Sequence, residues 1–219
     1  MMMKITSKIP LDKRVWPGVV LLGILMILER IWHIPYAVPV FILLLVAHLL
    51  FFRDPQREPP REHGLLAPAD GTVVKVDEIF EDRFLHEQAV RIRIFLSIFD
   101  VHTTRAPLAG IIKYQNYVKG KFLNALRKDA FDHNESNWIG IENRARRILV
   151  RQLTGAVARR IYSDVVVGQV MGRGEKLGMI CYGSGVEVCI PRRMFQANVQ
   201  VGQHVFGGVT ILGAWNEED

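Results

Sequence analysis

The sequence predicts a mainly β protein with minor α content, in which a compact β-barrel or sandwich follows an N-terminal transmembrane helical hairpin. Two observations predict this class. Residues 1–52 are dominated by long apolar stretches. After residue 163 the chain repeats a short apolar strand followed by a glycine-containing turn, a pattern typical of barrels and sandwiches. We therefore divide the chain into an anchor (1–52), a linker (53–63) and a soluble domain (64–219).

The anchor contains two apolar stretches, Val15–Leu28 and Ile34–Phe52. The second would span about 28 Å as a helix, close to the hydrocarbon thickness of a bilayer. Basic residues precede the first stretch and follow the second, so the positive-inside rule predicts two spans with both ends in the cytoplasm. A signal peptide is the alternative, but no small-residue cleavage site follows. We expect a retained anchor in the cell membrane, made of two spans or of one, and a soluble domain on its cytoplasmic side.

The composition favours an anionic partner. The net charge is +6 and the pI is near 9.5, and the apolar anchor favours lipid over nucleic acid. Six arginines between residues 144 and 160 could face the membrane or lie on solvated strands: Arg144, Arg146, Arg147, Arg151, Arg159 and Arg160. The two cysteines, Cys181 and Cys189, are expected to be buried free thiols rather than a disulfide or zinc site.

Within the soluble region, the linker is charged and rich in proline, which predicts no helix. Residues 64–80 read as strand, turn and strand, and Val90–Ile98 alternates cleanly enough to predict a strand. The remaining predicted elements are weaker strands at Ile111–Val118 and Arg147–Leu153, a short helix at Phe122–Phe131 and a polar loop at Asn134–Asn137.

A serine between two glycines, Gly183-Ser184-Gly185, lies where two of the late strands would meet. A serine hydroxyl needs a base to become a nucleophile. A preceding glycine lets that hydroxyl approach its own backbone carbonyl, because glycine adds no side chain and tolerates strained angles. Most such tripeptides are simple hairpin turns, and this remains the alternative explanation.

The candidate base is His102, which follows the apolar strand in IFLSIFDVH. Asp70, in the turn PADG, could orient and stabilise this histidine as the acidic member of a triad. Both residues have structural alternatives, because a lone histidine is often structural and an aspartate before glycine is a common turn residue.

Taken together and in order, several stretches resemble the short form of phosphatidylserine decarboxylase. They extend over nearly all of the soluble region: FFRDPQREPP (51–60), GLLAPADGTV (64–73), IFLSIFDVHTTRAPLAG (94–110), GKFLNA (120–125), TGAVARRI (154–161), RGEKLGMICYGSGVEV (173–188) and VGQHVFGGVTIL (201–212).

The resemblance implies that the chain cuts itself between Gly183 and Ser184 into a β chain (1–183) and an α chain (184–219), which stay together as a heterodimer. Asp70, His102 and Ser184 would form the processing triad. Ser184 would become a pyruvoyl group, the Schiff-base-forming cofactor that removes carbon dioxide from phosphatidylserine and leaves phosphatidylethanolamine. The implied partners are phosphatidylserine and anionic membrane lipid, without nucleic acid or metal. A higher oligomer is left open.

The chain departs from the family pattern at two positions. Gly185 stands where the short form often has arginine, and Arg105 stands where the long form has a second histidine, so Arg105 is a candidate for binding a substrate phosphate or carboxylate. Three rival functions remain: a pyruvoyl decarboxylase of another serine-headgroup lipid, one acting on a soluble amino acid, and a non-catalytic membrane-tethered barrel.

Overall fold

The computed structural model describes residues 10–32, 37–123, 130–144, 146–155, 160–181 and 184–216. It divides the chain into two compact units, Met1–Gln56 and Arg57–Asp219. The boundary falls inside the predicted linker, so Arg57 and the prolines that follow it belong to the second unit.

The first unit is a pair of antiparallel helices. A 3-10 turn, Lys13–Val15, leads into α1 (Trp16–Trp32), and α2 covers Ala37–Phe51. The two outer ends meet, because Leu11 forms an antiparallel bridge with Arg53 and His48 Nε2 donates to the Val15 carbonyl at 3.0 Å. By length and composition, the 20-residue helical segment Lys13–Trp32 is a candidate membrane span, whereas α2 is shorter. Two spans therefore remain a prediction.

The second unit is mainly β, which confirms the predicted class. Its strands are β1 (Leu65–Leu66), β2 (Gly71–Glu81), β3 (Glu87–Leu96), β4 (Thr103–Arg105), β5 (Gly110–Val118), β6 (Ser136–Asn143), β7 (Arg146–Leu153), β8 (Arg160–Ser163), β9 (Val170–Met171), β10 (Lys176–Cys181), β11 (Ser184–Pro191), β12 (Phe195–Ala197), β13 (His204–Val205) and β14 (Ile211–Trp215). One short helix, α3, covers Ala130–His133.

The strands form one large curled sheet and two small sheets. The large sheet has eight strands in the order β13-β2-β3-β11-β7-β6-β5-β9, and the small ones have the orders β1-β14-β12 and β4-β10-β8. The core joins residues of all three, for example Val186 on β11, Leu177 on β10 and Leu212 on β14. The architecture is thus a half-barrel with its apolar face covered, and the predicted closed barrel or sandwich is supported only at this coarser level.

Most predicted strands are present. The prediction at Val90–Ile98 corresponds to β3, which ends earlier because Ser97 and Asp100 hydrogen-bond each other across a turn. The polar loop predicted at Asn134–Asn137 is partly wrong. Ser136 and Asn137 begin β6 and are buried, since the Asn137 amide donates to the Gln152 side chain at 2.8 Å. For the helix predicted at Phe122–Phe131, residues 124–129 lie outside the described residues.

Several strands of the large sheet begin or end side by side. We call this row of strand ends, which runs across the strand direction, the Ser184 edge. The last residue of β3, Leu96, pairs with Ser184, the first residue of β11. In the adjacent row, Gly185 pairs with Leu153 at the end of β7, which pairs with Ser136 at the start of β6. The opposite edge, where turns join β2 to β3 and β6 to β7, is called the hairpin edge.

Candidate active site

Ser184 begins the central strand of the large sheet and is fully buried. Strands alternate their faces, so Ser184 shares the core-facing side of β11 with Val186 and Val188. Its Oγ has no hydrogen-bond partner within the described residues. Buried hydroxyls are normally hydrogen-bonded, so an exception in a native fold calls for a functional explanation.

Gly185 points to the other face of the sheet, where α3 covers it. A Cβ at position 185 would lie 2.7 Å from Cζ of the Phe131 ring. The ring is itself held under the Arg93 guanidinium, 4.6 Å from its centroid. This contact explains the departure at position 185, because an arginine would require Phe131 to move.

His102 lies in the connection from β3 to β4 and is completely buried. Its Nδ1 lies 2.9 Å from the carbonyl oxygen of Asp100. A carbonyl can only accept, so Nδ1 carries the proton and the lone pair of the neutral ring is on Nε2. The His102 carbonyl accepts from the Ile180 amide at 3.2 Å. His102 is therefore attached to β10, the strand that leads through residues 182–183, outside the described part, to Ser184.

Asp70 is buried and lies directly before β2. Its carboxylate forms a two-pronged ion pair with Arg57, in which Nη1 reaches Oδ1 and Nη2 reaches Oδ2 at 2.7 Å. It also accepts from the Gly207 amide at 2.8 Å. The carboxylate is thus held by Arg57 and Gly207, while the Nδ1 of His102 is held by the backbone at Asp100. The triad role of Asp70 stays a prediction.

Arg57 is the residue that the sequence analysis missed, because it lies in the predicted linker. Its guanidinium also donates to the Gly207 carbonyl at 2.7 Å, so it joins two loops around Asp70. The motif FFRDPQREPP contains Arg57 and carries part of the family resemblance, so it could have indicated this residue.

Arg105 supports the Asp70 turn through its backbone amide, which donates to the Pro68 carbonyl at 2.7 Å. Its side chain donates to the Gly174 carbonyl at 3.2 Å. Arg105 pairs with Lys176, at the end of β10 away from Ser184. A substrate-binding role for Arg105 remains a prediction that these contacts do not favour.

A buried ion cluster fixes the register of the strands around Ser184. Glu187 of β11 accepts from Arg93 of β3 at 2.5 Å and from Arg151 of β7 at 2.9 Å. Burial lowers the pKa of Arg151, and the charge of Glu187 opposes this. Arg151 is buried, so it neither faces a membrane nor lies on a solvated strand face, and both alternatives were wrong for this residue. Cys189, two residues after Glu187, and Cys181 are both buried, as predicted, and neither is in a disulfide.

Comparison with known proteins identifies the family. The family model described as phosphatidylserine decarboxylase matches residues 45–213. The chain is similar to the phosphatidylserine decarboxylase proenzyme of Carboxydothermus hydrogenoformans, 44% identical over 195 residues that cover 89% of this chain and 91% of the relative. For the proenzyme of the same name from Symbiobacterium thermophilum, the identity is 42%, with 74% and 76% covered. For that of Burkholderia lata it is 36%, with 90% and 92% covered.

The chain has a β fold with a buried serine at the first residue of a central strand, and it matches these proenzymes over most of its length. It is therefore a carboxy-lyase. This excludes the non-catalytic barrel. More specifically, the chain belongs to the phosphatidylserine decarboxylase family, and the resemblance found in the sequence is confirmed.

Proposed function

We propose that this protein decarboxylates phosphatidylserine to phosphatidylethanolamine, using a pyruvoyl group made from its own Ser184. The family membership supports the reaction. The observation that carries the assignment to Ser184 is its position: a buried hydroxyl without a partner among the described residues, at the first residue of a strand whose preceding bond is Gly183–Ser184.

Self-cleavage would begin at that bond. The Ser184 hydroxyl gives up its proton and attacks the Gly183 carbonyl carbon, so the amide C–N bond breaks, an ester forms at Oγ and the proton passes to the freed amine. Removal of the Ser184 Cα proton then expels the Gly183 carboxylate and leaves dehydroalanine. Addition of water and loss of ammonia complete the pyruvoyl end.

His102 is the proposed base for the first step. The hydrogen bond to the Asp100 carbonyl puts the lone pair on Nε2, the nitrogen that can accept the hydroxyl proton. Once protonated, the ring is a cation in a buried site, and a nearby carboxylate would stabilise it. Asp70 is the proposed carboxylate, and its contact with Arg57 reduces the charge that it offers.

The residues around position 184 fit such a group. β11 is paired on both sides, with β3 and β7, so residue 184 stays fixed after its N-terminal bond is cut. When formed, a pyruvoyl carbonyl supplies the electron sink that decarboxylation needs. Burial of Ser184 and Leu96 keeps bulk water away from the site. His102 is the proposed donor of the proton that returns to the substrate carbon.

We further propose that α1 and α2 hold the enzyme at the cell membrane as a two-span anchor, with the catalytic unit on the cytoplasmic side. The apolar composition of both helices and the basic flanks support this arrangement. A membrane anchor also favours a substrate that lies in the membrane, phosphatidylserine, over a soluble amino acid.

Intact-mass analysis of the purified full chain tests the proposal. We expect fragments 1–183 and 184–219, with the second blocked to Edman sequencing because a pyruvoyl end has no amine. Ser184→Ala should stay intact and release no carbon dioxide from phosphatidylserine. Ser184→Cys is the matched control, since it keeps a nucleophile and should still be cut. An active Ser184→Ala chain, or a free serine amine on the small fragment, would refute the cofactor assignment.

A further inference from the structure

Large apolar side chains are exposed along the Ser184 edge. Ile98 and Phe99, in the turn that follows β3, are 55% and 80% exposed. Phe122 follows β5 and is 38% exposed, and Phe206 follows β13 and is 41% exposed. Single exposed apolar residues are ordinary, but a group beside a buried catalytic serine points to an interaction surface.

The turn holding Ile98 and Phe99 is well defined. The Asp100 carboxylate accepts from the Ser97 amide at 2.8 Å and is bound by His204 Nε2 at 3.0 Å. The Phe99 amide donates to the Ser97 hydroxyl at 3.1 Å. The folded turn therefore presents both apolar side chains outward, directly before His102 in the chain.

The charges at this edge are complementary to an anionic surface. Lys119, Lys121 and Arg160 are exposed, and none of them forms an ion pair within the described part of the chain. The nearby acids are engaged: Asp132 lies 3.6 Å from Arg93, and Glu135 accepts from the Tyr117 hydroxyl.

The hairpin edge lacks this combination. Phe80 is also exposed there, at 60%. Two of its arginines are matched by acids, since Arg192 contacts Glu78 at 2.7 Å and Arg193 contacts Glu87 at 3.1 Å. Others at this edge are exposed and form no ion pair within the described part of the chain: Arg83, Arg144 and Arg146. The group of exposed apolar side chains, and not charge, therefore distinguishes the Ser184 edge from the hairpin edge, where Phe80 stands alone.

We propose that the Ser184 edge docks on an anionic phospholipid bilayer, with Ile98 and Phe99 inserted below the headgroups and the three cations at the lipid phosphates. Exposed aromatic side chains next to cations are the combination that binds such surfaces. Docking would bring His102 and residue 184 to the level of the headgroup that carries the substrate amine. The inference rests on the proposed function.

Labelling depth tests the docking in the full chain. Because Cys181 and Cys189 are buried, a fluorophore can be placed on Phe99→Cys, with Phe80→Cys as the matched control. The labelled proteins are reconstituted in vesicles of phosphatidylglycerol and phosphatidylcholine in about a 3:7 ratio, with spin labels on the acyl chains. We expect strong quenching at position 99 and weak quenching at position 80. Equal quenching would overturn the proposal, as would a position-99 signal that depends on protein density rather than on the spin-labelled lipid, which would indicate a second copy.

A kinetic comparison gives an independent readout. For each protein, the rate on phosphatidylserine in vesicles is divided by the rate on a short-chain, monomeric phosphatidylserine. Phe99→Ser should lower this ratio about tenfold, as expected for loss of one buried aromatic group at an interface, and Phe80→Ser should not change it. An unchanged ratio in Phe99→Ser would overturn the docking surface. Absence of decarboxylation of both lipids by the unmodified protein would instead refute the proposed function.

Discussion

The two edges of the large sheet differ in how the polar groups at their strand ends are hydrogen-bonded. At the hairpin edge, the Glu81 carboxylate accepts three backbone amides, from Arg83, Phe84 and Leu85, at 2.7–2.9 Å. Polar groups there find partners within the fold. At the Ser184 edge the strands run into longer connections, and a fully buried hydroxyl is left without a partner among the described residues. The polar groups at the hairpin edge are thus satisfied by the fold, whereas at the Ser184 edge a buried hydroxyl is left unbonded among the described residues, as the proposed chemistry requires.

The largest effect that sharpens this contrast is expected from His102→Ala. Loss of the proposed general base should slow self-cleavage by about 10²- to 10⁴-fold, measured by the appearance of the 184–219 fragment over time. His86→Asn, at the hairpin edge, is the matched control and should cleave at the normal rate. Normal cleavage in His102→Ala would remove His102 from the proposed mechanism.

The Arg57–Asp70 pair should show that the Ser184 edge also depends on a buried charge contact. Arg57→Gln or Asp70→Asn should each lower the free energy of unfolding by about 3 kcal/mol, because each leaves the partner charge buried and unmatched. The double variant should lose much less than the two losses together. Arg193→Gln, whose side chain is 71% exposed at the hairpin edge, should cost less than about 1 kcal/mol.

The cleavage rates of Asp70→Asn and Arg57→Gln distinguish a structural role of Asp70 from a chemical one. If Asp70 supports His102, Asp70→Asn should slow cleavage more than Arg57→Gln does at equal folded fraction. Equal cleavage rates in the two variants would limit Asp70 to its structural contact.

Gly185→Ala tests the close packing next to Ser184. The new methyl group would meet the Phe131 ring, and overpacking of this kind costs about 1–3 kcal/mol. We expect reduced stability and slower cleavage, both restored by adding Phe131→Leu. If Phe131→Leu fails to restore either property, the ring is not the reason for glycine at position 185.

The smallest effect concerns Asp77, which lies on β2 towards the hairpin edge. Burial alone would raise its pKa, but hydrogen bonds from Arg91 and Lys75 outweigh this and lower the pKa from 3.8 to about 2. A lowered carboxyl pKa stabilises the fold above about pH 4, and this contribution disappears as the pH falls through about 2. Asp77→Asn should therefore cost about 1 kcal/mol near neutral pH, and this cost should vanish only as the pH falls below about 2. A pH-independent difference in unfolding free energy would contradict the assignment.

Local sequence patterns predicted the strands well where one face is apolar along most of the strand, as in β3 with Val90, Ile92, Ile94 and Leu96. They failed where a buried polar residue is satisfied by a distant partner. Asn137 looked like part of a loop because its partner, Gln152, is on another strand. Arg151 looked like a surface residue because Glu187, which neutralises it, is 36 positions away.

The candidate site shows the same limit. Ser184 and His102 could be found because family-like motifs surround them. Arg57 is separated from Asp70 by a proline-rich stretch whose path no local rule predicts. The His102 ring bonds to the backbone carbonyl of Asp100, a group that every residue has. No residue type in the sequence could therefore indicate this hydrogen bond.

The position of β11 has a consequence for the processed enzyme. This strand pairs along its whole length with β3 and is also hydrogen-bonded to β7, yet it would belong to the smaller product of cleavage. The two products should then separate only when the sheet itself opens. After such an opening, the two products would have to reassociate in a bimolecular reaction, because no covalent bond holds the short chain to the rest. Maturation would thus convert a reversible folding equilibrium into a one-way process, in which lifetime depends on the unfolding rate.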